Sequence, residues 1–358
     1  MKRSVAATIL VCGFVPLAAL GGPPTAESGR SQHAELAVGI RINAADDQEA
    51  TWKAYQASLH RTLAASGTPR NVALAALDAS AFPADDRSPT LQDEPLFRAA
   101  MGARDDALVQ WLIANRLLGS GHDTRVDAIV ANATRLEPDN AAVWGLTLAL
   151  ASKRNESAAI DDALAHMAAS TRSDEHFADT ARAWYEIYER NPFPQWTFAN
   201  PTDADAAVFV SAMAKAAATA LAGYQTLVQT CKPSAEASRN RARAVDCSAI
   251  GHLMLYRSTT LLARRIGFVL LRNLGDDAVS SEDHALHRNL EWVLFNEAAT
   301  DDSLKDPLAM HAYATDWLKL DDEYDILQRA LRRQGVSAEA PSDWQPSEHA
   351  SIAQAASR

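Results

Sequence analysis

The chain has 358 residues, 47% of them hydrophobic and 22% charged, a balance that suits one large or two small folded domains and excludes a disordered polymer. Against 34 Lys and Arg stand 45 Asp and Glu, so the net charge is -11 at pH 7. That sign excludes a surface built to hold nucleic-acid phosphates, which requires clustered cations.

The first residues read as an export signal. Lys2 and Arg3 form a positive start, residues 4–20 are uncharged and mostly apolar, and Pro16 is followed by the small residues Ala18, Ala19, Gly21 and Gly22. Cleavage is expected after Gly21, leaving residues 1–21 as a signal peptide and a periplasmic or secreted mature chain. The apolar run is shorter than the roughly 20 residues of a membrane anchor and is broken by Pro16. A lipid anchor on Cys12 would make the protein an envelope component, but Val11 is larger than the residue that usually precedes a lipidated cysteine. Removing the signal makes the net charge two units more negative and leaves Cys231 and Cys247. An even count in an oxidising compartment favours a disulfide between them; the alternative is two separate buried thiols.

In chain order, residues 22–45 read as loosely ordered. Strand signals are nearly absent and apolar residues recur at three- and four-residue spacing, so an all-α fold is expected. The spacing predicts helices over 47–65 and 71–81, then a Pro- and Asp-rich loop over 83–89. Further helices follow over 94–102, 105–118, 124–136, 141–153, 156–169 and 174–190. Residues 191–201 hold Pro192, Pro194 and Pro201 and mark a boundary between a first unit, 46–190, and a C-terminal helical subdomain, 202–335. The second unit begins with a capping-box pattern at Thr202 and Asp205 and a long helix over 202–231. A polar loop over 232–240 leads to a second long helix, 243–274. Helices over 281–299 and 307–333 follow, the latter breaking near Leu320, and 336–358 reads as a flexible tail. The apolar stretches 206–228 and 250–271 carry Lys215 and Arg257, Arg264 and Arg265, charges too costly for a bilayer, so they are read as buried helices.

One junction is distinctive: Arg135-Leu136-Glu137-Pro138-Asp139-Asn140-Ala141-Ala142-Val143-Trp144. Pro138 ends one helix, Asp139 or Asn140 caps the next, and Trp144 is expected to plug the groove between hairpins. From Ala107 to Ala141 is 34 residues. This resembles the tetratricopeptide repeat over residues 107–190, which implies antiparallel helical hairpins stacked as an α-α superhelix. The match departs from the family pattern at Leu148 and Ile160, where the repeat usually has smaller residues.

Chemical motifs are sparse. His284, His287 and Glu291 share a helical face and are the best metal candidates, although an exposed helix face beginning after a Ser280/Asp283 cap is the reading that these residues favour. The seven Asp-Asp pairs fit no calcium loop, and several fall at helix starts, where aspartate caps. Arg239, Arg241 and Arg243 cluster near the inter-cysteine loop as candidate contacts to a partner, and Trp196, inside the proline-rich breaker, is a candidate groove residue. Trp111, Trp144, Trp184, Trp292 and Trp317 sit on apolar helical faces and read mostly as core. No serine nucleophile elbow, phosphate loop, dinucleotide fingerprint or His-Glu-x-x-His motif is present. The expectation is a non-catalytic periplasmic scaffold for a peptide or protein partner, with no cofactor, no nucleic acid and no transmembrane segment in the mature chain. The rivals are an all-α metal-dependent enzyme and a lipid-anchored envelope component.

Overall fold

The computed structural model describes residues 46–81, 89–120, 125–194, 201–221, 223–232, 241–300 and 306–346. The expected signal peptide, Cys12, Trp196 and Arg239 lie outside them. The fold is all-α, with fifteen α-helices and no strand among the described residues. None of these helices is long and apolar enough to cross a membrane.

Helices α1 (Asp46–Ala65), α2 (Pro69–Ala81) and α3 (Pro89–Gly102) pack in sequence order. Two antiparallel hairpins follow, α4 (Ala107–Ser120) with α5 (Val126–Leu136) and α6 (Ala141–Lys153) with α7 (Ser157–Ala169). The second stacks on the first through α4 and α5 against α6. Asn140 caps α6, its side chain accepting from the Ala142 amide at 3.2 Å. The apolar sequence of α6 runs all round because the helix lies between two cores. Val143 and Leu146 join the main core, and Ala141 and Leu148 join a smaller one against α7.

After α7 the order changes. Beyond its hairpin partner α6, α7 packs on α11 (Arg241–Arg257), paired with α12 (Leu261–Leu274). The next helix in sequence, α8 (Phe177–Arg190), packs with α9 (Pro201–Thr219) and α14 (Pro307–Lys319) instead. The main core runs unbroken across residues 191–201, taking in Trp111 and Trp184 before them and Phe209, Ala212 and Ala216 after. The expected boundary therefore separates two stretches of sequence that share one core.

Both long helices expected in the second half are broken, for identifiable reasons. The first divides into α9 and α10 (Gln225–Thr230). Its end carbonyls are taken by α4: Trp111 Nε1 donates to Ala220 O at 3.1 Å, and Asn115 Nδ2 donates to Thr219 O and Leu221 O. The second divides at Ser258–Thr260, where the Thr260 hydroxyl accepts from the Ala263 amide and starts α12 afresh. The remaining helices are α13 (Ser281–Thr300) and α15 (Glu323–Arg333), and the expected break near Leu320 separates α14 from α15. The tail is also partly corrected. Residues 336–346 lie along α13, with Trp292 Nε1 donating to Ser337 O, the Ala340 amide donating to Asn289 Oδ1, and Trp344 edge-on to Trp292.

Of the tryptophans read as core, Trp111, Trp184 and Trp317 are buried. Trp144 is half-buried and does not plug the groove between hairpins. Its ring stacks on His166 of its own hairpin at 3.9 Å, and its Nε1 donates to Pro138 O.

Candidate functional site

Two places in the fold concentrate unusual chemistry. The first is a cleft of about 260 Å³ where the end of α3 and the turn after it meet α5. Its apolar lining includes Ala128 and Ile129, and Met101 stands at its edge, 56% exposed. Gln110, buried beside it, holds the α3 end in place by donating to Ala100 O and Ala103 O. The titratable residues lining the cleft are both cations, Arg104 and Arg135. Asn132 ties them together: it donates to Arg104 O and accepts from Arg135 Nε. Arg135 also reaches Asp105 at 3.3 Å.

The second is a buried polar junction. Four inter-helix turns line up side by side: 137–140, 171–176, 258–260 and 320–323. Parallel bridges join Asn140 to Arg172 and Ser173 to Ser258, and the Glu323 amide donates to Thr259 O at 2.9 Å. These turns precede α6, α8, α12 and α15, so four helix N-termini converge there. Asn140 is fully buried; its Oδ1 accepts from the Asp174 amide and its Nδ2 donates to Asp174 O.

His176 anchors the junction. Its backbone is left-handed, φ 56, an unusual conformation for a residue with a side chain. Its imidazole lies between two carboxylates, Nε2 at 2.7 Å from Glu137 and Nδ1 at 3.2 Å from Asp179. Burial alone would depress its pKa, but these two acceptors push it up to about 10, so both ring nitrogens carry protons. Glu137 answers in kind: burial would raise it, yet His176 and Arg172 hold it at about 2. Hydrogen bonds from His176 and Arg182 likewise depress Asp179. Arg182 bridges Asp179 and Asp321, and Arg264 donates to Ser258 O and pairs with Asp322. Two carboxyls in this junction stand apart. Glu175 accepts from the Thr260 hydroxyl, at 3.2 and 3.1 Å, and from its own backbone amide, and Glu323 accepts from the Leu261 amide at 2.7 Å.

The residues picked out in the sequence fall elsewhere. His284, His287 and Glu291 do share a face of α13, where His287 Nε2 lies 3.4 Å from Glu291, but the three are not gathered as a metal-ligand group. His287 stacks on Phe268 at 3.8 Å, His284 meets the same ring edge-on, and Glu291 is engaged by Arg265 at 2.7 Å. Among the described residues no group of three His, Cys, Asp or Glu side chains is placed to hold a metal ion. The expected Ser280/Asp283 capping box is formed in both directions. Arg243 pairs with Asp161 of α7, and Arg241 is exposed at the start of α11. Cys231 and Cys247 form the expected disulfide, with Cα atoms 5.7 Å apart, joining the end of α10 to α11. The sequence reading passed over Met101, Arg104, Glu175, His176 and Glu323. The signal available was the run Arg172-Ser173-Asp174-Glu175-His176, a charged string between two helices whose facing residues are apolar.

No family model matches this chain, and no curated protein or solved structure is similar to it.

Proposed function

We propose that this protein is an exported, non-catalytic helical-hairpin scaffold that binds an acidic, partly apolar segment of a peptide or protein partner in the cleft between α3 and α5. The observation that carries the reading is the lining of that cleft. In a chain of net charge -11, the titratable residues among the described ones that line it are Arg104 and Arg135, the latter also reaching Asp105 at the rim, beside an apolar wall and an exposed methionine. Methionine adapts to varied partner surfaces, and a guanidinium pair recognises carboxylates. The stacked hairpins α4–α7 supply a rigid frame of the kind that repeat scaffolds use to present binding surfaces. The Cys231–Cys247 bridge fits an oxidising compartment, as does the expected signal at residues 1–21.

The test is an array of short peptides, acidic-apolar against basic-apolar, probed with the full chain and with the Arg104→Glu/Arg135→Glu variant. Retention of the acidic set that is lost in the variant supports the reading. Equal retention of both sets, or no change in the variant, rejects it. Export is tested separately by sequencing the N-terminus of chain expressed with its first 21 residues, which should start near Gly22.

A further inference from the structure

Among the described residues, the cations at the four-turn junction are already committed to acids. Arg172 meets Glu137, Asp139 and Asp174; His176 meets Glu137 and Asp179; Arg182 meets Asp179 and Asp321; Arg264 meets Asp322. Arg257, at the end of α11, faces out to solvent. The hydrogen-bond partners of Glu175 and Glu323 are neutral, the Thr260 hydroxyl and its own amide for Glu175 and the Leu261 amide for Glu323, on either side of the α12 N-terminus. The neighbouring acids add to the problem: Asp174 and Glu323 act on Glu175, and Asp322 acts on Glu323. Asp325 adds negative charge beside Asp322. Glu175 is fully buried with no cation acting on it, and Glu323 is part-buried with Arg264 partly offsetting its neighbours; a buried carboxyl so placed is tolerated neutral and is costly when charged.

These groups sit at the seam that holds the C-terminal hairpin. The α14/α15 pair meets the rest of the molecule here through the Glu323 amide on Thr259 O, Arg182 on Leu320 O and Asp321, and Arg264 on Asp322. We propose that Glu175 and Glu323 form a proton-operated latch: protonated, they close the seam between α15 and the α8 and α12 N-termini, and ionised, they open it. Burial pushes the Glu175 carboxyl up to about 8, reinforced by Asp174 and opposed by the Thr260 hydroxyl. Burial likewise pushes Glu323 up to about 7, reinforced by Asp322 and opposed by the Leu261 N–H bond and by the Arg264 guanidinium. The closed seam therefore holds protons that an open, hydrated seam releases near the ordinary carboxylate value. Rising pH favours opening. The compartment outside the inner membrane follows external pH, so an exported protein would meet this range; the latch itself does not depend on the cleft reading.

Hydrogen exchange of the full chain, expressed as protection factors to remove the intrinsic pH dependence, tests it. Amides of Leu261 and residues 323–327 should lose protection by up to about tenfold per pH unit per ionising group between pH 5 and 7. Amides of α4 and α5 serve as the internal reference and should stay flat. Glu175→Gln and Glu323→Gln, which mimic the protonated forms, should each flatten the slope, and the double variant should abolish it. A wild-type slope of zero overturns the proposal. So does a slope that persists unchanged in the single variants, which would assign the response to another group. The single variants decide the matter even where the double variant fails to fold.

Discussion

Gly267 of α12 lies directly on Gly251 of α11: a Cβ at Gly267 would sit 2.7 Å from Gly251 O and 2.5 Å from the Leu255 backbone nitrogen. Both are backbone atoms, so neither helix could yield without moving as a whole. Overpacking of this kind costs about 1–3 kcal/mol or more, while alanine in a helix returns at most about 1 kcal/mol over glycine. Gly267→Ala is therefore expected to destabilise the protein by about 2 kcal/mol in urea unfolding. Gly145 of α6 is the control, because its Cβ would meet only the Met167 Cε at 3.9 Å. Gly145→Ala should be neutral or stabilising. Equal effects at the two glycines would mean that α11 and α12 are not in backbone contact.

The Cys231–Cys247 bridge closes a loop with a sequence separation of 16 and joins α10, a helix of six residues, to α11. So short a helix has little stability of its own, and the bridge fixes it against the smaller core through Leu227 and Val228. The chain-entropy model gives about 3 kcal/mol for a loop of this length. Thiol titration of denatured, unreduced protein purified from an oxidising compartment should find none of the two cysteines free. Reduction should lower the thermal midpoint by several degrees. Two free thiols per chain would defeat the bridge.

The two tryptophans of the stacked hairpins should behave differently. Trp111 is fully buried, and its Nε1 donates to Ala220 O at the end of α9. Trp111→Ala opens a large cavity and leaves that carbonyl without its partner, for a cost of about 3–5 kcal/mol. Trp144 is half-buried and stacked on His166. Trp144→Ala should cost about 1–2 kcal/mol, between surface and core values. The reverse ranking in denaturant titrations would place Trp144, not Trp111, between the hairpins.

Local signals were legible in the sequence and long-range ones were not. Asn140 as a cap, the helix 141–153, the break at Leu320 and the Ser280/Asp283 box each depend on a few adjacent residues, and each stands in the structure. The disulfide followed from a count of two cysteines. The breaks after Thr219 and Arg257 were missed because their causes are distant. One is the pair Trp111 and Asn115, over a hundred positions away, and the other is the turn 171–176. Apolar periodicity runs straight through both breaks, so helical spacing alone gives one long helix. The same limit hid the junction: Glu175 and Glu323 are ordinary surface types in sequence, and only the convergence of four turns buries the first and half-buries the second. His284, His287 and Glu291 show the opposite error. Their spacing is right for a shared face, but Phe268 and Arg265 from α12 already occupy that face.

The Glu137–His176 contact sets the acid limb of stability. Glu137 is held at about 2 in the folded chain, below its ordinary value of 4.5, because the His176 and Arg172 bonds outweigh burial. A carboxyl with a depressed folded-state pKa contributes stability that is present above its unfolded value and lost as pH falls towards the folded one. His176 has the opposite sign. Its pKa is raised from 6.5 to about 10, so its contribution is full below pH 6.5 and is lost as pH rises towards 10. Glu137→Gln should therefore cost on the order of 2–3 kcal/mol at pH 6, where both partners are charged in the wild type. The gap between variant and wild type should close as pH falls from about 4.5 to 2, where the wild type loses the same charge. It should also narrow as pH rises from about 6.5 towards 10, the window in which the His176 contribution is lost. Urea midpoints measured at half-unit steps from pH 2.5 to 10 would trace both limbs. A gap that stays constant across that range would mean that Glu137 contributes by packing alone and that the ion pair with His176 carries none of the stability.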